Sequence, residues 1–219
     1  MCKCPNYMVW NGSYTYDDKP KLTFIGHHKY REMLNIHGLP FIQVPCGCCL
    51  ECRIQHSREW SDRCVLEAKK YKDNYFVTLT YDDEHLPAKN SLCPDDLVNF
   101  MKRLRKKFPN HKIRFFACGE YGTGGNNPLV PMRPHYHIIL FNCPLNDLSY
   151  NFQKMENGRL VNHLRPVNKG DLKFSSTIYE LWQYKGMISV GSFSYESARY
   201  VAQYVHQNNL YQYRDGETS

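Results

Sequence analysis

Apolar and polar positions change period several times along the chain, and each change marks an element. Residues 1–47 hold no sustained period; they are turn-rich, with short strand candidates in "KLTFIG" and "PFIQVPC". From Leu50 to Tyr71 there is neither Pro nor Gly, and Ile54, Ser57 or Ser61, Cys64, Val65 and Ala68 recur at helical spacing. That spacing predicts one long helix. "YFVTLTY" (75–81) then reads as a strand of β-branched and aromatic residues, ended by the polar "DDEHLP". "SLCPDDLVNFMKRLRKKFP" predicts a helix that opens on Asp95 and Asp96, stops at Pro109 and carries Leu97, Phe100, Met101 and Leu104 as its apolar stripe.

"KIRFFACGE" and "HYHIILF" follow as strands, joined by the Gly- and Asn-rich "YGTGGNNPLVPMRP". A helical segment at "STIYELWQY", a strand "GMISVGSF" and a last helix "SYESARYVAQYVHQ" complete the order. A hairpin set between helices fits an α+β fold: a ferredoxin-like antiparallel sheet with helices on one face. The change in character near residue 52 predicts two parts, a cysteine-rich lobe over 1–52 and a larger domain over 53–219.

Composition narrows the function classes. With 219 residues, 42% of them hydrophobic, the chain can bury a core, which excludes a disordered tail. Lys and Arg outnumber Asp and Glu 28 to 21, and aromatic residues make up 14%. Positive charge suits phosphate and exposed rings suit unpaired bases, so single-stranded nucleic acid is the expected partner. The helix over 94–107 is basic on its outer faces, and Lys102, Arg103, Arg105, Lys106 and Lys107 are candidate DNA contacts together with Arg133 and Arg199. There is no basic-then-apolar leader and no apolar run near the roughly 18 residues that cross a bilayer, so a cytoplasmic protein without a membrane partner is expected.

Ten cysteines in a reducing compartment point to metal ligands or buried thiols before disulfides. Cys46, Cys49 and Cys52 follow a C-x2-C-x2-C spacing with Cys48 inserted, and the amino terminus offers Cys2 and Cys4. With Cys4 as the fourth ligand, these thiolates form a structural Zn2+ candidate that would clamp the irregular lobe onto the long helix. An iron–sulfur cluster and unliganded thiols are the competing readings.

"RPHYHIILF" places His135 and His137 two apart in a strand, so both imidazoles leave the same face and one ion can take both. Glu120 ends the preceding strand, and hairpin pairing would bring its carboxylate to the histidines. Two imidazoles and one carboxylate leave open positions on a divalent ion. In "ARYVAQYV", Tyr200 and Tyr204 are one helical turn apart on one face. Seventeen tyrosines make a second such pair unsurprising, and Tyr71 with Tyr75 is one, but it straddles a helix end and a strand start. The trio, the basic helix and the tyrosine helix are expected to form one phosphate-cutting site.

Together these segments resemble the HUH endonucleases, and more closely the rolling-circle replication initiators of gokushovirus-type microviruses. "FVTLTYDDEHLP" resembles the family's first motif, "RPHYHIILF" its His-hydrophobic-His motif, "CGEYG" the segment of the third metal ligand and "YVAQYV" the two-tyrosine motif; "PCGCCLECR" resembles a cysteine segment of the phage initiators. The motifs stand in the family's order over about residues 45–207.

The resemblance implies the HUH fold and a site-specific nickase of single-stranded DNA. Glu120, His135 and His137 would hold Mg2+ or Mn2+, and Tyr200 and Tyr204 would be the nucleophiles that form a 5′-phosphotyrosine ester and free a 3′-hydroxyl. Where the family commonly carries a lysine near the second tyrosine, this chain has Gln203, His206 and Gln207, so Arg199 or His206 would take over phosphate binding. No G-x-x-x-x-G-K-[ST] loop occurs, which assigns strand separation to a host helicase and synthesis to a host polymerase in the bacterial cytoplasm. The competing functions are a non-catalytic single-strand binding module and an HUH transposase or relaxase.

Overall fold

The computed structural model describes residues 2–25, 41–122, 133–164 and 172–207. Most of the loop "YGTGGNNPLVPMRP" lies outside these residues, as do the side chains of His206 and Gln207. Contacts divide the chain into two compact units, Met1–His56 and Ser57–Ser219.

In the first unit β1 (Asn6–Tyr14) pairs antiparallel with β2 (Pro20–Ile25) and with β3 (Phe41–Val44), in the order β2-β1-β3. Tyr7, Val9 and Ile25 form its buried cluster. The first turn of α1 (Leu50–Ala68) closes this unit beside the cysteines. There the fourth sulfur is not the expected one: Cys2 joins Cys46, Cys49 and Cys52, while Cys4 is exposed and outside the group. Cys46 N donates to Cys2 Sγ at 3.4 Å, which draws the second residue in and leaves the fourth on the solvent side.

The second unit contains the rest of α1, then β4 (Asn74–Thr80), a short 3-10 turn (Ala88–Asn90), α2 (Pro94–Lys107), β5 (Arg114–Tyr121) and β6 (Pro134–Phe141). After these come β7 (Leu148–Ser149), β8 (Asn151–Glu156), β9 (Arg159–Leu164), β10 (Phe174–Ser175), α3 (Ser176–Leu181), β11 (Ile188–Ser192) and α4 (Tyr195–Gln207). The main sheet has the order β11-β4-β6-β5 with every neighbour antiparallel. The β8–β9 hairpin is not among the expected elements, although "ENGR" carries its signal: Asn157 and Gly158 both take positive φ, as a tight hairpin turn between twisted strands requires.

Helices cover both faces of the main sheet, not one. Val77, Leu79, Ala117, Tyr136, Ile138 and Leu140 face the stripe Leu97, Phe100, Met101 and Leu104 of α2 and Ile178 of α3. Residues of opposite parity, Phe116, Cys118, Ile139 and Phe141, pack instead with Cys64 and Ala68 of α1 and Ala198, Val201, Ala202 and Val205 of α4. The cause is written in β6, whose run Ile138–Phe141 is apolar at every position; a strand that is apolar on both sides needs cover on both.

The end of β4 is fixed from α3 and the turn before β11. Trp182 Nε1 donates to Thr80 O at 2.7 Å, and Asp82 N donates to Lys185 O at 2.7 Å. A Cβ on Gly186 would stand 2.5 Å from Thr80 O and 2.6 Å from the Tyr81 carbonyl carbon, both backbone atoms. Gly186→Ala is therefore expected to destabilise the protein by about 1–3 kcal/mol, seen as a fall of several degrees in Tm; an unchanged Tm would show that this contact yields freely.

Candidate active site

Strand register builds the site. Across β6, His137 stands opposite Thr78 of β4 and Cys118 of β5; one step of the same face away, His135 stands opposite Thr80 and Glu120. All of these positions lie on the face covered by α4. The hairpin expected from the sequence thus brings Glu120, His135 and His137 together, with one ligand atom from each inside a mutual distance of 4.8 Å. Glu120 Oε2 is 3.2 Å from His137 Nε2 and 3.6 Å from His135 Nε2.

The imidazoles are oriented from behind. His135 Nδ1 lies 3.2 Å from Arg133 O, and because a carbonyl only accepts, Nδ1 carries the proton and Nε2 offers its lone pair to Glu120. His137 Nδ1 meets Thr78 Oγ1 at 3.0 Å, and its ring stacks on Phe76 with centroids 5.3 Å apart. Burial, aided by the neighbouring His135, lowers the His137 pKa to about 3, so this imidazole is neutral at neutral pH and its approach to Glu120 is not an ion pair.

Glu120 and His137 are both buried, and His137 Nε2 has no hydrogen-bond partner among the described residues. A carboxylate oxygen and a nitrogen lone pair facing each other in a dry place repel unless a cation lies between them. The residues therefore fit a divalent ion, and a carboxylate with two imidazoles is a donor set for Mg2+, Mn2+ or a later transition metal. Thr78 and Phe76 had no signal as site residues beyond their period-2 spacing in "YFVTLTY", because only the register shows which histidine each one backs.

The tyrosine helix supplies a hydroxyl. Ala198, Val201, Ala202 and Val205 seat α4 on the sheet. Its amino terminus is capped reciprocally, Ser197 N donating to Ser194 Oγ at 3.2 Å and Ser194 N to Ser197 Oγ at 3.0 Å. Tyr200 OH donates to Glu120 Oε2 at 2.9 Å, and its ring meets His137 edge-on at 5.0 Å. Tyr204 follows one turn on, its ring centroid 4.8 Å from that of Tyr200. Burial, then hydrogen bonding with Tyr204 and with Glu120, raises the Tyr200 pKa above that of a free phenol. For Tyr204 the hydrogen bond with Tyr200 acts downward, but burial and Glu120 outweigh it and its pKa is also raised. Tyr71 and Tyr75, the other pair, pack on different faces of the sheet.

The basic helix is not part of this site. α2 covers the opposite face, so Lys102, Arg103, Arg105, Lys106 and Lys107 are separated from the trio by the sheet. Two of them also serve the fold: Arg103 Nε donates to Leu181 O at 2.8 Å, and the Arg105 guanidinium lies over Phe115 at 5.5 Å. Arg133 reaches Asp83 and donates to Tyr81 O at 3.0 Å, tying the mouth of β6 to the segment after β4. Arg199 and Gln203 are exposed on α4 beside the tyrosines.

Comparison with known proteins agrees on one kind of relative. A family model described as replication-associated protein ORF2 matches residues 74–209. The chain is 39% identical over 170 residues to the replication-associated protein ORF2 of Spiroplasma virus 4, covering 74% of this chain and 47% of that protein. It is 33% identical over 168 residues to the replication-associated protein VP4 of Bdellovibrio phage phiMH2K, covering 73% and 47%. With the replication-associated protein ORF4 of Chlamydia phage 1 the identity is 30% over 166 residues, covering 74% and 37%. The chain thus spans less than half the length of these curated relatives. No solved structure matches.

Mn2+ titration by calorimetry tests the trio. Glu120→Ala and His137→Ala are expected to abolish measurable binding at this site, and Thr78→Val to weaken it about 10-fold or more by freeing the His137 ring. Unchanged affinity in Glu120→Ala would remove the trio as the ligand set.

Proposed function

The chain belongs to the family of replication-associated proteins of the ORF2 type, and from that membership and the site geometry we propose that it initiates rolling-circle replication by nicking and rejoining single-stranded DNA. The observation that carries the reading is the Tyr200 hydroxyl, held 2.9 Å from the carboxylate of a buried trio whose ligand atoms lie within 4.8 Å of one another. The antiparallel order β11-β4-β6-β5, with a helix after its first strand and another before its last, supports the ferredoxin-like HUH form of this chemistry.

In this reading Glu120, His135 and His137 hold Mg2+ or Mn2+, which supplies polarisation of the scissile phosphate and offsets its developing charge. Glu120 also keeps the Tyr200 hydroxyl in place by accepting its hydrogen bond. The Tyr200 oxygen bonds to phosphorus as the bond to the 3′-oxygen breaks, which leaves a 5′-phosphotyrosine ester and a free 3′-hydroxyl for a polymerase to extend. Tyr204, in ring contact with Tyr200, is placed to take a second strand while the first ester stands, so that a regenerated origin is cut and a circle closed.

The α4 cation Arg199 is assigned to the phosphate chain beside the cut, in place of the family's lysine. Arg133, engaged with Asp83 and Tyr81, positions the β6 mouth, and the exposed charges of α2 meet only flanking DNA. Host helicase and polymerase are the proposed partners, and the host cytoplasm the place of action. No helix of the described residues is long and apolar enough to cross a membrane.

The test mixes the chain with labelled single-stranded origin DNA and Mn2+ and looks for a covalent protein–DNA band on a denaturing gel. The band is expected to require the metal, to fall at least about 100-fold in His135→Ala, to weaken in Tyr200→Phe and to vanish in the double variant with Tyr204→Phe. DNA retarded on a native gel with no covalent band in any variant would leave a binding module instead.

A further inference from the structure

A second group of potential ligands stands in the first unit, and the chemistry of Tyr200 makes no use of it. Cys2, Cys46, Cys49 and Cys52 bring four sulfurs within 4.8 Å of one another. We propose that these four thiolates bind one Zn2+ and that this ion, not an extensive apolar core, holds the first unit together.

Distance identifies the occupant. Four thiolates at a Zn–S length of about 2.3 Å in a tetrahedron stand about 3.8 Å from one another along each edge. Cys2 Sγ lies 3.7 Å from Cys49 Sγ, and Cys46 Sγ lies 3.9 Å from Cys52 Sγ, two opposite edges of that figure. An iron–sulfur cluster would hold its cysteine sulfurs much farther apart, since several irons and sulfides stand between them. The C-x2-C-x2-C spacing that left the cluster open as an alternative is closed by this geometry in favour of a single ion.

Local backbone prepares the sulfurs for a metal. Gly47 takes φ +78°, a conformation that side-chain-bearing residues rarely adopt, and the turn it makes points Cys49 N at Cys46 Sγ at 3.3 Å. Cys46 N in turn donates to Cys2 Sγ at 3.4 Å. Such amide donors stabilise sulfur as thiolate, the form that binds zinc. Cys52 sits in the first turn of α1 and is the buried member. Cys48 approaches Cys46 alone, at 3.6 Å, and is exposed; Cys4 is exposed and apart.

The consequence for the fold follows from what else the unit buries. Among its described residues the apolar cluster is Tyr7, Val9 and Ile25, a small core for a unit of this length. A zinc shared by residue 2, the segment after β3 and the first turn of α1 closes the ends of the three-stranded sheet onto the helix, which is how small domains with too little core acquire stability.

The experiment purifies the full chain without chelator, measures bound zinc, and replaces it with Co2+, whose bonds to thiolates absorb strongly in the near ultraviolet. One metal per chain with that absorption is expected. It should be lost in Cys2→Ser and Cys49→Ser, and kept in Cys4→Ser, in Cys48→Ser and in the triple variant Glu120→Ala, His135→Ala, His137→Ala, which keeps this site distinct from the tyrosine site. Should the serine variants fail to fold, the unaltered chain still decides the matter: added zinc is expected to protect four thiols from a thiol-reactive dye. Absence of the thiolate absorption under excess Co2+, absence of protection by zinc, or loss of the metal in Cys4→Ser while Cys2→Ser retains it would overturn the proposal.

Discussion

The register of β6 between β4 and β5 is the constraint from which the site follows. It sets Thr78 and Cys118 against His137 and Glu120 against His135. A slip by one residue would turn both histidines toward the face of Ile138 and Leu140, against the stripe of α2, and would move those aliphatic side chains among Glu120 and the tyrosines. Because both faces of the sheet are buried, each slip would misplace an entire apolar set, and the packing of Val77, Ile138 and Leu140 on one side and Phe116, Ile139 and Phe141 on the other holds the register. The core thereby positions the polar site at its edge.

That site violates the rules the rest of the sheet obeys. Glu120 and His137 are buried polar groups in a sheet otherwise lined by apolar residues, and His137 Nε2 faces a carboxylate oxygen without a proton to share. Such an arrangement is unfavourable by itself and becomes favourable when a cation neutralises it, so the cost of folding it is recovered on binding. α4 can approach because its sheet-facing positions include Ala198 and Ala202, whose small side chains let the helix settle against Phe116 and Ile139 and bring Tyr200 to Glu120. The two tyrosines then take the geometry of the helix, one turn apart.

Much of this is legible in the residue order. Period changes locate the helices at Leu50–Ala68, Pro94–Lys107 and Tyr195–Gln207 and the four strands of the main sheet, since each carries an uninterrupted pattern bounded by Gly, Pro or polar turns. The hairpin turn Asn157-Gly158 is visible as a dipeptide, but the strands beside it lack the clean apolar alternation that would mark them as a pair. The second helical layer is foreshadowed by the unbroken apolar run of β6. Charge misleads where it is read without packing: the cations of α2 look like part of the phosphate site, yet the stripe on the same helix commits it to the far side of the sheet.

By itself the sequence determined which residues have the chemistry: two histidines on one strand face, a glutamate at a strand end, two tyrosines a turn apart and a knot of cysteines. These are short-range facts, settled by the periods of strand and helix. Only the tertiary structure decided which partners they meet. Thr78 and Phe76 back His137, Tyr200 rather than Tyr204 hydrogen-bonds Glu120, Cys2 displaces Cys4, and the basic helix stands apart. Each of those outcomes depends on strand register, on the face a helix covers or on a turn between residues distant in the chain, and residue spacing carries no information about them until the core has packed.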